Sequence, residues 1–179
     1  MKTVPPPHRP VRPEWLASRR EAPLEPEREQ VDAHHHLWDR PATSGRYLLP
    51  DLLADIAGSG HRVVQTVHVQ ARSMYRADGP EELRPVGEVE FARAVAHEAA
   101  AHEAAAGPVQ ACAAIVGCAD LTMGDAVAPV LEALGEAGAG RLRGIRVPVA
   151  WHDGVHLVGV RISERTPSSD APAASRPLS

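Results

Sequence analysis

The segment VDAHHHLW, residues 31–38, places three consecutive histidines at the end of a short apolar run. We predict a buried strand over Gln30–His36. Side chains two residues apart share one face of a strand, so His34 and His36 should point together and His35 should point away. Two imidazoles side by side at the carboxyl end of a strand suit a divalent metal such as zinc. The alternative is that the histidines merely pack against the neighbouring tryptophan.

Outward from this segment, strand patterns and helix patterns alternate. Apolar, β-branched runs predict three more strands, over 62–70, 109–116 and 141–149. Apolar positions at helical spacing predict intervening helices that begin near Pro50, Val86 and Asp125. This alternation is typical of an α/β protein with parallel strands and crossover helices. It fits an open doubly wound sheet or part of a (β/α)8 TIM barrel, and the lack of a GxGxxG motif after the first strand weakens the doubly wound alternative.

Composition divides the chain into three parts. A Pro-rich arm, 1–29, precedes a partial TIM-barrel domain, 30–162, and a Pro/Ser/Ala-rich tail, 163–179, follows it. The arm and the tail contain few large apolar side chains, so we expect both to be disordered. A whole barrel needs about 250 residues. The 179 residues are therefore expected to supply about four to five of the eight βα units of such a barrel.

Charge and composition argue against several classes of partner. The chain has 19 Lys+Arg against 23 Asp+Glu, a formal net charge of -4, and no long basic run, which argues against nucleic acid. It lacks an apolar run of about 18 residues, which argues against a membrane span. The Pro-rich start lacks the apolar region of a secretory signal, so we expect a cytoplasmic protein. Cys112 and Cys118 are then expected to be buried, unreactive thiols.

Several segments resemble one protein family, in the family's order. VDAHHHLWD resembles the opening signature of the amidohydrolase-2, or amidohydrolase-related, branch of the amidohydrolase superfamily, whose members are TIM-barrel metal-dependent hydrolases. The resemblance spans roughly residues 14–152. Its other segments are WLASRREAPLEPE, VVQTVHVQA, VGEVEFARAVA, AAIVGCADL and GRLRGIR. HxH alone is weakly specific, and the ordered set is much more so.

The resemblance implies a metal-dependent hydrolase that acts on a lactone, ester or amide of a small molecule. His34 and His36 match the metal ligands of the family's first strand, and the implied cofactor is a divalent metal, zinc foremost. His68 and Gln70 match positions that line the substrate pocket, although ordinary strand polarity is an alternative. Arg146 could bind a substrate carboxylate, with a surface salt bridge as the alternative.

The sequence also departs from the family. The branch takes further ligands and its general base from later strands, and nothing after Trp151 resembles them. Val147 stands where a histidine often follows GIR in this branch. We therefore expect the catalytic base on a missing later strand, and a chain that is truncated and inactive alone.

Whether the chain is an enzyme thus stays open at the level of the sequence. One alternative is a non-enzymatic barrel fragment that needs a partner half and self-associates through open sheet edges. Another is a metal-independent lactonase or decarboxylase of the same branch.

Two other patterns predict structure rather than chemistry. Glu88 and Glu90 begin a helix, where carboxylates favour the positive end of the dipole. His97 and His102 follow the spacing HExxxH rather than HExxH, which places them about 140° apart around a helix. We expect them to lie on a solvent-exposed face.

Overall fold

The computed structural model describes residues 12–19, 21–41, 45–101 and 109–147. All of them belong to the first of two compact units, Met1–Val147, and the second, Pro148–Ser179, lies outside the described residues. The tail, His102 and the end of the predicted domain lie outside them as well, so what the sequence predicts for these segments stays a prediction.

Four parallel strands form the central sheet. The described elements are α1 (Pro13–Ala17), β1 (Glu29–His35), β2 (Trp38–Arg40), β3 (Gly45–Tyr47), α2 (Leu49–Ser59), β4 (Arg62–Val69), α3 (Val86–Ala101), β5 (Gln110–Gly117), α4 (Ala128–Gly138) and β6 (Leu142–Ile145). The sheet order is β1-β4-β5-β6, and β2 pairs with β3 in a separate antiparallel hairpin. The α/β class with parallel strands is confirmed. None of the described helices has both the length and the apolar character that a bilayer crossing requires.

The hydrophobic core joins the sheet to its helices, with α3 packed on β5 and on α4. Small side chains contribute much of α3's buried face, which limits the apolar area that each residue removes from water. The alanines on that face are Ala92, Ala96 and Ala99. Larger fully buried members of the core are Leu37, Val89, Ile115 and Leu134.

Helix ends follow local signals, with one correction. Asp51 accepts a hydrogen bond of 2.8 Å from the Leu48 N–H at the start of α2, and Gly60 with φ 73° ends that helix. The prediction that Asp125 caps the fourth helix is wrong, because a 3₁₀ turn over Leu121–Val127 precedes α4. That turn is kinked at Gly124, where φ is 59°; Asp125 contributes its backbone carbonyl to the Ala128 N–H, and Val127 is the N-cap of α4 without a side-chain hydrogen bond.

Two short elements were not predicted from the sequence. The arm contains α1, where we expect disorder; Pro13 suits the first turn because a proline there removes no intrahelical hydrogen bond. The β2–β3 hairpin follows the histidines, and Trp38 stacks on Tyr47 with ring centroids 5.1 Å apart. Arg40 of this hairpin donates a hydrogen bond to the Ala71 carbonyl, which ties it to the loop after β4.

Candidate functional site

His34 and His36 meet at the carboxyl end of β1. Their Nε2 atoms are 3.3 Å apart, and the rings lie edge to face with centroids 4.8 Å apart. His35 contacts a different set of residues and is only 7% exposed. The prediction that His34 and His36 share a face while His35 points away is therefore confirmed.

A backbone carbonyl fixes the tautomer of His36. The Nδ1 atom lies 2.7 Å from the Val69 carbonyl oxygen of β4. A carbonyl can only accept, so Nδ1 carries the proton and Nε2 keeps its lone pair. Burial, as the largest cause, lowers the pKa of His36 and favours the neutral imidazole. A neutral ring held by a hydrogen bond to its other nitrogen is the state in which histidines bind metals.

Arg146 directly follows β6, and its guanidinium group lies beside His34. Its Nη2 donates a hydrogen bond of 2.6 Å to the Gln70 carbonyl, and its Nη1 lies 3.5 Å from His34 Nε2. The Gln70 side chain instead accepts from the Arg72 N–H at 3.1 Å. Of the predicted pocket residues, the structure thus joins Arg146 to His34 directly and Gln70 to them through its backbone alone.

The hydrogen bonds among the three nitrogens that meet here depend on the tautomer of His34. A guanidinium can only donate, so the Arg146 contact calls for a lone pair on His34 Nε2. The Val69 contact places a second lone pair on His36 Nε2, 3.3 Å away. With this tautomer of His34 the two lone pairs can bind one cation, whereas with Nε2 protonated His34 donates to His36 Nε2 instead. In the part of the chain that the structure describes, no third His, Cys, Asp or Glu ligand joins this pair.

His68 lies elsewhere. It is fully buried, its ring centroid is 5.7 Å from that of His35, and its Nε2 is 3.6 Å from Glu88 Oε1 of α3. Among the described residues no hydrogen bond or ring contact joins His68 to His34 or His36, and its role in a substrate pocket stays a prediction. Instead, His35, His68 and Cys112 form a buried cluster whose ligand atoms all lie within 4.8 Å of one another and could hold a metal ion.

An irregular backbone presents Cys112 to this buried cluster. The pairing of β4 with β5 shifts between Gln65 and Val67, and Cys112 has φ 49°, which is uncommon for a residue other than glycine. Its N–H donates to Thr66 Oγ1 at 3.0 Å, and Thr66 Oγ1 also lies 2.8 Å from His35 Nε2. Burial raises the pKa of Cys112 to about 12 and is the main cause that lowers the pKa of His35 to about 4.

Sequence reasoning missed the buried cluster because Cys112 was interpreted as an inert thiol. The one available signal was that a histidine or cysteine occurs on each of three successive parallel strands. The two groups also differ in access, since His34 is exposed whereas His35, His68 and Cys112 are all buried. Comparisons with family models, with curated proteins and with solved structures find no match to this chain.

Proposed function

We propose that this chain carries the first-strand metal site of a metal-dependent hydrolase that acts on a lactone, ester or amide of a small molecule. The observation that supports it most is the 3.3 Å separation of His34 Nε2 and His36 Nε2. Two nitrogens bound to one tetrahedral zinc at 2.0–2.1 Å would lie about 3.3–3.4 Å apart. The separation of the pair therefore matches that of two nitrogens bound to one zinc ion. The resemblance of residues 31–39 to the amidohydrolase-related branch points to the same ion.

The order of the strands supports a barrel rather than a doubly wound sheet. Each described parallel strand lies beside the next parallel strand in the chain, in the order β1-β4-β5-β6. A doubly wound sheet reverses its strand order at a switch point, and its ligand binds there. A barrel keeps one direction throughout and places its active site at the carboxyl ends of the strands. His34, His36 and Arg146 all lie at those ends.

In this proposal each residue of the site has a separate task. His34 and His36 hold the metal, and the Val69 carbonyl keeps the His36 tautomer that leaves Nε2 free. A divalent metal, when bound, lowers the pKa of water and polarises a substrate carbonyl. Arg146, held by the Gln70 carbonyl, binds an anionic group of the substrate. The general base is expected outside the described residues.

Arg146 also bears on the class of substrate. A guanidinium 3.5 Å from a metal-binding nitrogen repels a bare cation at the same site. An anionic group placed between the two removes that repulsion, and a guanidinium fork matches a carboxylate well. We therefore propose a substrate that carries a carboxylate close to the scissile bond.

Isothermal titration of the full chain with Zn²⁺ tests the site. We expect weak binding at the pair of His34 and His36, because two protein ligands are fewer than the three or four of a tight zinc site. His34→Ala and His36→Ala should each abolish it. At a fixed concentration of free Zn²⁺, acetate should strengthen the binding, and Arg146→Gln should remove the effect of acetate.

The controls are two other histidines. His61→Ala alters an exposed imidazole at the amino end of β4, and His35→Ala alters the one that points away. Both variants should keep the weak site. Loss of the weak site in His35→Ala to the same degree as in His34→Ala would refute the proposed ligand pair. An equal effect of acetate on the wild type and on Arg146→Gln would refute the carboxylate role.

A further inference from the structure

We propose that His35, His68 and Cys112 form a second, closed metal site, which takes a zinc-like ion through two imidazoles and one thiolate. The three residues come from β1, β4 and β5, and all are buried. Mixed nitrogen and sulfur ligands suit zinc and similar borderline-soft ions. This site is separate from the exposed pair and does not rest on the proposed hydrolase function.

Unpartnered ring nitrogens are the first observation that points to a ligand. His68 is 0% exposed, and among the described residues neither of its ring nitrogens has a hydrogen-bond partner. Folded proteins seldom leave buried donors and acceptors unpaired, and an ion that the structure lacks is one of the explanations for such an exception.

Backbone irregularities are the second, independent observation. β1 pairs with β4 at Asp32↔Thr66 and next at His35↔His68, so β1 uses one residue more than β4 between these pairs. On the other side of β4, Cys112 of β5 adopts its positive φ. Bulges redirect side chains, and strained residues persist where a function maintains them. Both irregularities occur at ligand positions of the same cluster.

The balance of charge around the cluster is the third observation that points to a metal ion. Glu88 is 2% exposed, and His68 is its only ion-pair partner within the described part of the chain. Buried carboxylates are usually paired with a positive charge in addition to their hydrogen bonds, which here include one from the Ala71 N–H. A divalent ion bound to the Cys112 thiolate keeps one net positive charge, which Glu88 neutralises. Glu88 Oε1 lies 3.6 Å from His68 Nε2, so a small approach on ion binding would let it accept from this ring, as outer carboxylates do for metal-bound histidines.

Binding of a metal ion would replace the present partners of Cys112 and His35. The ion replaces the proton of the Cys112 thiol, and this proton leaves to solvent. It also takes the lone pair of His35 Nε2, whose present neighbours are the Thr66 hydroxyl at 2.8 Å and Cys112 Sγ at 4.0 Å. The ligand atoms, now within 4.8 Å of one another, would have to approach each other by about 1 Å to reach tetrahedral spacing. The site would then tie three strands together, which is a structural role.

Titration of the metal-free full chain with Co²⁺ tests this site, because thiolate coordination to Co²⁺ produces a near-ultraviolet charge-transfer absorption that histidine ligands alone do not give. The chain has 2 cysteines, so the absorption can come only from Cys112 or Cys118. We expect it to saturate at one ion per chain. It should persist in Cys118→Ser, in His34→Ala and in His36→Ala, and it should vanish in Cys112→Ser. We also expect Zn²⁺ to displace Co²⁺ and to raise the unfolding temperature.

The Cys118→Ser variant decides the outcome even if Cys112→Ser does not fold. In it Cys112 is the sole thiol, so a stoichiometric absorption supports the site and its absence overturns it. His35→Ala or His68→Ala in this variant should weaken Co²⁺ binding at least tenfold if the imidazoles are ligands. An absorption that is unchanged by both substitutions would show that Cys112 binds without them, and this too would overturn the proposal.

Discussion

At the scale of single residues, two carboxylates with the same sequence signal have different surroundings. Glu88 and Glu90 both lie in the first turns of α3, where helix-end stabilisation is the sequence-based interpretation of each. In the structure Glu88 is buried and accepts a hydrogen bond of 2.7 Å from the Ala71 N–H, in the loop after β4. Glu90 is half-exposed and pairs with Arg76, which lowers its pKa. Glu88 thus anchors a loop to the helix layer, whereas Glu90 contributes to the surface.

Glu88→Ala should destabilise the metal-free chain by roughly 1–3 kcal/mol, because it leaves the partly buried Ala71 N–H without its acceptor. Glu90→Ala is the matched control on the same helix. It should cost much less, since solvent screens an exposed ion pair. Urea unfolding followed by circular dichroism measures both. Similar losses for the two variants would contradict the anchoring role of Glu88.

At the scale of elements, the start of α3 depends on a close backbone approach. A Cβ on Gly87 would lie 2.6 Å from both the Met74 carbonyl oxygen and the Arg76 backbone nitrogen. These atoms belong to the backbone of the loop after β4 and cannot move aside as the end of a flexible side chain can. Gly87 therefore allows α3 to pack against the loop that follows Gln70, and so helps to hold the carboxyl end of β4.

Gly87→Ala should destabilise the fold by roughly 1–3 kcal/mol, because steric overlap outweighs the gain in helix propensity. Gly135→Ala in α4 is the control, since a Cβ there meets no atom within 4 Å. It should stabilise by about 0.5–1 kcal/mol. Thermal and urea unfolding of both variants provide the comparison. A stabilising effect at Gly87 would show that this contact does not restrict the position.

At the scale of the whole molecule, β1 and β6 are the edges of the described sheet. Val31 on β1 is a large apolar residue that is 54% exposed. Exposed strand edges pair readily with other chains. For this reason we still predict that the chain self-associates. The His34 and His36 pair lies at the end of the edge strand β1, and the described sheet supplies four strand ends where a whole barrel supplies eight.

The 179-residue chain should not hydrolyse lactones, esters or amides faster than free Zn²⁺ does. In the proposed function the general base lies outside the described residues, and water would weaken electrostatic contacts with the developing charge. The measurement is turnover of a panel of carboxylate-bearing substrates by the Zn²⁺-loaded chain. Robust turnover that His34→Ala removes would show instead that this part of the fold suffices for catalysis.

Local sequence patterns determined much of the architecture. The first three parallel strands lie within one residue of their predicted bounds, at Glu29–His35, Arg62–Val69 and Gln110–Gly117. The shared face of His34 and His36 was also predictable. Both successes have one cause, which is that strand propensity and side-chain alternation depend on neighbours a few residues away.

Only the tertiary structure decided which distant side chains meet. Cys112 approaches His35 across a separation of 77 residues, and Arg146 approaches His34 across 112. These contacts depend on strand order, on register and on bulges that shift the pairing by a residue. Alternation within one strand carries no information about such shifts, because a slip of one residue reverses which face a side chain takes. For that reason the sequence alone indicated the exposed histidine pair and not the buried cluster of His35, His68 and Cys112.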